Sequence, residues 1–198
     1  MDRFSNLTKI PKEPAAKLLA QNNLKLDTPL TSPASASVEV VLGELADAED
    51  GKIDMLKLLA AVLPVRELVW WSCLAARDIV GDGPENETRC LATSEAWVFR
   101  PTEENREQAV ATLEHADMDD VTVHCVTGIQ HCDDTYGPGE LAQLPAPAGA
   151  AAVAALALNV QALVARKEIF EEHLETLIDR ALDIARGGNG KGASGAPT

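Results

Sequence analysis

The chain has 198 residues, and seventeen Lys and Arg against thirty-one Asp and Glu leave a formal charge of −14 at pH 7. That charge repels phosphate backbones and anionic headgroups, which argues against sequence-independent nucleic-acid binding and favours basic or amphipathic protein partners. The length suits one domain with a well-buried core.

The opening stretch, MDRFSNLTKIPKEP, holds no apolar run of signal-peptide length, so a cytoplasmic location is expected. Residues 1–11 are polar, end at Pro11 and are expected to be mobile; residues 12–187 are expected to form the helical domain, and 188–198, rich in Gly, Ser and Ala, a disordered tail. Between the ends apolar residues recur three and four apart, the helical period. A short helix is predicted over Pro14–Gln21, then an extended link enforced by Pro29 and Pro33. A second helix, Ser35–Ala48, capped by Ser35 or Ser37, is separated by Asp50-Gly51 from a third over Ile53–Leu63. Pro64 opens a helix over Val65–Val80 that is apolar nearly all round and belongs at the centre of the core.

Asn86–Phe99 and Thr102–Ala116 read as an antiparallel pair broken at Pro101, the second with Ala109, Val110, Leu113 and Ala116 as its buried stripe. Val121–Val126 alternates well enough for a short strand, but its helical surroundings favour a helix. After a Pro- and Gly-rich connector, Pro145–Ala165 carries no charge and is long enough to span a bilayer. Its alanines gain little from lipid and its Asn159 and Gln161 would lose hydrogen bonds there, so a buried soluble helix and no membrane insertion are expected. A last helix over Lys167–Arg186 turns Phe170, Leu174, Leu177, Ile178, Ala181 and Ala185 to one side and stops at Gly187. The fold expected is all-α, with about seven or eight helices in a single globular domain.

Cys73, Cys90, Cys125 and Cys132 form no CxxC pair and are expected to be free thiols in a reducing compartment. His124, Cys125, His131 and Cys132 are all zinc-capable, in two doublets seven residues apart, but four ligands on one short helix cannot close a tetrahedron. Glu49–Asp54 resembles the second half of a calcium loop, yet Ala46, Ala48 and Lys57 would occupy ligand positions. A serine elbow, a phosphate-cradling glycine loop and HExxH are all missing from the sequence. The expectation is a non-enzymatic chain with neither cofactor nor metal centre, a metal-binding protein or enzyme built on His124–Cys132 being the rival. Arg66 and Arg77 lie eleven residues apart along one line of their helix with Trp70 and Cys73 between them, and Trp71 lies on the adjacent line. With Trp97 and Arg106 these residues form the candidate protein-binding surface, since Trp and Arg dominate binding hot spots. The competing account seals the indoles in the core and pairs Arg66 and Arg77 with Glu67, Asp78 or Glu103.

Three segments, PVRELVWWSCLAAR (Pro64–Arg77), WVFRPTEENR (Trp97–Arg106) and DIARG (Asp183–Gly187), together resemble an uncharacterised bacterial helical family, a domain of unknown function with PVRExVWWxCLxAR, WVxxPxxxNR and LDIARG motifs. The chain departs from that pattern at Gly128–Cys132, where relatives carry a Trp-Ser-Gly-Gly-Ser-like segment followed by prolines. The resemblance implies a helical protein, some of whose relatives lie near type VI secretion loci, and it assigns no catalytic residue. It fits a protein-binding accessory, adaptor or chaperone-like protein with a partner of unknown identity and an open oligomeric state. An acidic immunity-type inhibitor is the alternative.

Overall fold

Among the described residues, hydrophobic spacing of three and four is realised as helix. A computed structural model describes residues 3–192, the side chain of Pro84 excepted, and contains nine α-helices and no named strand among those residues. All-α is therefore the fold; the predicted short helix α1 (Ala15–Gln21) forms, and the ambiguous Val121–Val126 region adds a ninth, α7 (Val123–Gln130). Contacts gather the chain into two units, residues 1–64 with 168–198, and residues 65–167.

The first unit holds α1, α2 (Val38–Asp47), α3 (Gly51–Val62) and α9 (Phe170–Ala185). Helices α2 and α3 form the expected hairpin. Ser37 caps α2 by accepting from the Val40 N–H at 3.4 Å. Gly51 starts α3 two residues earlier than predicted, and only glycine fits there, because a Cβ would lie 2.0 Å from the Leu45 carbonyl oxygen. The end of α9 is the predicted left-handed stop: Gly187 takes φ +96°, its N–H donates to Ile184 and that of Gly188 to Asp183. Asn23, at φ +51°, ends α1 in the same way, with Leu24 N–H returning to Leu19.

The leading segment departs from its expected mobility. Phe4, Leu7 and Ile10, spaced three apart, are buried, Arg3 pairs with Glu175 and Asp179 of α9, and Arg186 donates to the carbonyls of Arg3 and Ser5. Three apolar anchors in an otherwise polar segment suffice to hold it. At the other end Gly190 N–H donates to Asp183 at 2.8 Å, while residues 193–198 of the expected tail lie outside the described residues. In α9 the predicted face is buried except at Phe170, and Leu182 and Ile184 join it.

The second unit is built around α4 (Val65–Val80), which packs against α5 (Arg89–Phe99), α7 and α8 (Ala150–Ala165). Its Leu68, Val69, Trp71, Cys73, Ala75 and Ala76 are buried, as the near-continuous apolar surface of this helix predicts. Thr88 caps α5 and Thr102 caps α6 (Glu103–Ala111) through their hydroxyls. Helix α6 tightens into a 3-10 turn at Thr112–His115, so the predicted stripe shrinks: Ala109 is buried, and Val110, Leu113 and Ala116 are half-exposed. Val121–Val126 contributes to α7, whose ends are helical and not extended. Among the described residues no single helix is long and apolar enough to cross a membrane.

Candidate functional site

The Trp and Arg residues of α4 and the α5–α6 junction separate into two environments. Trp71 and Trp97 are buried, and Trp70 is half-buried. Arg106 is 4% exposed. Its guanidinium forks onto Asp133 with both contacts at 2.7 Å, and Nη2 also donates to the Gln130 carbonyl at 2.8 Å and to Thr135 Oγ1 at 3.3 Å. The guanidinium holds the Asp133 carboxyl down at about 2, because its hydrogen bonds stabilise the anion. Arg77 makes a second fork: Nε donates to Glu95 Oε1 at 3.0 Å and Nη2 to Glu95 Oε2 at 2.8 Å, with Glu87 a further acceptor at 2.9 Å. Hydrogen bonding to Glu95 raises the Arg77 pKa and fixes its charge.

This arrangement corrects the expectation of one exposed Trp/Arg surface. Trp71, Trp97 and Arg106 are interior, and Arg77 is largely consumed by carboxylates of the same unit. The internal account was right in kind for Arg77 but named other partners, since Glu95 and Glu87 pair with it; Arg106, which that account left out, pairs with Asp133 at 2.7 Å and with Glu103 at 3.7 Å. Neither Glu95 nor Asp133 lies within a helical turn of its arginine in sequence, so spacing along one helix could not reveal them.

Arg66 behaves differently. It is exposed, and its Nε donates to the Val98 carbonyl at 2.7 Å, supplying a donor to the last turn of α5. The next residue, Phe99, is 87% exposed, and the exposed Arg100 follows it. One corner of the unit thus presents a bare aromatic ring, next in sequence to the exposed Arg100 and to the carbonyl that Arg66 caps, with half-buried Trp70 one helical turn beyond Arg66. The signal for Phe99 was present in the WVFR motif, but periodicity alone places a helix-terminal Phe on either side.

The His/Cys doublets disperse. Gln161 donates to His124 Nε2 at 3.1 Å, and burial lowers the pKa of that imidazole. Cys125 is fully buried, where a hydrogen bond with Cys73 and burial raise its thiol pKa. His131 donates from Nδ1 to the Thr135 carbonyl at 2.8 Å and meets the Tyr136 ring edge-on, and Cys132 is half-buried. Among the described residues no three His, Cys, Asp or Glu side chains gather as metal ligands.

A cleft of about 540 Å³ opens beside α5, lined by Thr88, Cys90, Thr112, His115 and Asp120 among others. Five of the polar side chains beside it bond one another: Cys90 Sγ lies 3.3 Å from Thr112 Oγ1, Thr88 and Thr122 share a 2.5 Å contact, and Asp120 accepts from the N–H and hydroxyl of Thr122. Burial, the leading cause, raises the Cys90 pKa, which opposes thiolate formation.

The chain matches the model of a Family of unknown function (DUF6931) over residues 41–185, from α2 to the end of α9, and belongs to that family. No curated protein and no solved structure matches it.

Proposed function

We propose that this member of a family of unknown function is a non-enzymatic, protein-binding accessory of adaptor or chaperone-like type, and that it takes its partner at the corner formed by Arg66, Trp70, Phe99 and Arg100. The observation that carries this reading is Phe99. An aromatic ring left 87% in water at a helix end forfeits the burial free energy that a Phe ordinarily gains, about 1.5–3 kcal/mol, and a partner that covers it recovers that energy. The exposed Arg66 and Arg100 of the same corner supply directed donors, so the segment accepted is one carrying carboxylates next to an apolar side chain. The cytoplasm and a bacterial secretion apparatus are the proposed setting, on the strength of the sequence motifs.

An immunity-type inhibitor is a second reading, favoured by the net charge of −14, and would meet a basic partner through an acidic face instead of this corner. Capture of partners from the native cell by the full chain separates the two. Phe99→Ser and Arg66→Ala are expected to abolish capture, with thermal unfolding unchanged within about 2 °C in Phe99→Ser and lowered by about 2–4 °C in Arg66→Ala, which also loses the bond to the Val98 carbonyl. Retention of the same partner by both variants refutes the corner. Capture of a basic toxin whose activity the chain suppresses favours the inhibitor.

A further inference from the structure

Residues 3–10 form neither helix nor strand, yet Phe4, Leu7 and Ile10 are buried while Asn6, Thr8 and Lys9 between them are exposed. What orders the segment is therefore the surface it lies on, which α2 and α9 of the same unit supply. The Phe4 ring lies over Gly43 of α2, where an added Cβ would stand 4.0 Å from Cδ2. Arg3 Nη2 reaches Glu175 at 2.5 Å and Asp179 at 2.8 Å, carboxylates one turn apart on α9. The end of α9 holds the backbone: Lys9 N–H donates to the Ala185 carbonyl at 2.9 Å, and Arg186 donates to the carbonyls of Arg3 and, at 3.3 Å, Ser5. Main-chain hydrogen bonds, seats for apolar side chains and a charge pair are the means by which proteins hold extended peptides. Gly43, Glu175, Asp179 and Ala185 lie within the family-matched stretch 41–185, and residues 3–10 lie outside it. The receiving surface is thus part of the family domain, and its occupant is an extension of it.

We infer that this α2–α9 face is a docking site for an extended protein segment, and that the chain's own leading segment fills it as a tethered occupant. The chemistry accepted is read from what is seated there: a basic residue followed at once by a large apolar one, with two more apolar residues at three-residue intervals. A short tether gives the resident segment an effective concentration on the order of millimolar. A partner therefore displaces it only by adding contacts of its own. The site lies in the first unit and is independent of the corner that carries Phe99.

Fluorescence anisotropy with a labelled peptide of residues 3–12 tests this on the whole chain. Wild type, its site filled, is expected to bind the peptide at least about tenfold more weakly than the Phe4→Ser, Leu7→Ser chain, whose own segment is loosened. A scrambled peptide of the same composition is expected not to bind the loosened chain. An Arg3→Glu peptide is expected to bind it at least about fivefold more weakly than the parent, and Asp179→Lys in the loosened chain to narrow that difference. Should the loosened chain fail to fold, a protease site engineered between Pro11 and Pro14 of the otherwise wild-type chain decides the question, because after cutting the labelled peptide is expected to replace the released segment. Four results overturn the proposal: a folded loosened chain that binds no peptide, equal binding by wild type and the loosened chain, equal binding of the parent and the scrambled or Arg3→Glu peptides, or a cut chain that unfolds or keeps its segment against a large excess of peptide.

Discussion

Two arginines that look alike in sequence differ from a third in what surrounds them. Arg77 and Arg106 each fork onto a carboxylate, whereas Arg66 caps a carbonyl at the surface. Arg77→Ala removes charge-assisted bonds worth about 2 kcal/mol, and in a chain of this length the melting temperature should fall by roughly 4–8 °C. Arg106→Lys should lose much of what Arg106→Ala loses, because an ammonium cannot reproduce the two parallel bonds to Asp133. Differential scanning calorimetry of these variants checks the ranking, and a melting point unaffected by Arg77→Ala would contradict it. The carboxylates predict a pH response. Asp133 and Glu44 are each held at about 2, below ordinary values of 3.8 and 4.5, by Arg106 and by the Thr31 and Ser32 donors respectively. A depressed folded-state pKa stabilises fully above the unfolded value and loses that contribution as pH falls through the folded one. Stability should therefore decline from about pH 4.5 towards pH 2, less steeply in the Asp133→Asn, Glu44→Gln double variant, as urea midpoints at stepped pH would read.

Helix ends and helix interiors were unequally legible. The capping hydroxyl at Ser37, one of the two serines the sequence offered, and the stop at Gly187 are local chemistry and lie where the sequence placed them. The leading segment was misread because its apolar residues are too sparse for a helical or strand period, although Phe4, Leu7 and Ile10 are buried. Phe4→Ala is accordingly expected to cost about 3 kcal/mol, where a mobile residue would cost nothing; chemical denaturation measures this directly. Buried position also sorts the cysteines. Cys73, Cys90 and Cys125 are buried and Cys132 is half-buried. A disulfide-exchange reagent should titrate Cys132 first in the native protein and the other three only on unfolding. Rapid titration of all four would place the core thiols at the surface.

At the scale of the molecule, the charge of −14 is a property of composition alone, and it predicts no retardation of duplex DNA at physiological ionic strength in a gel-shift assay. The sequence by itself determined the all-α class, the order of the principal helices and the central role of α4 within its unit. All of these follow from periodicity, caps and composition, which act over one or two turns. Tertiary structure alone decided which of the six Trp and Arg candidates are interior. It matched Arg77 to Glu95 and Arg106 to Asp133 across eighteen and twenty-seven residues, dispersed the His/Cys doublets, and left Phe99 in water. The physical reason is that a side chain's partners are set by which helices pack together. Helical spacing fixes which residues share a face, and only packing decides what that face meets.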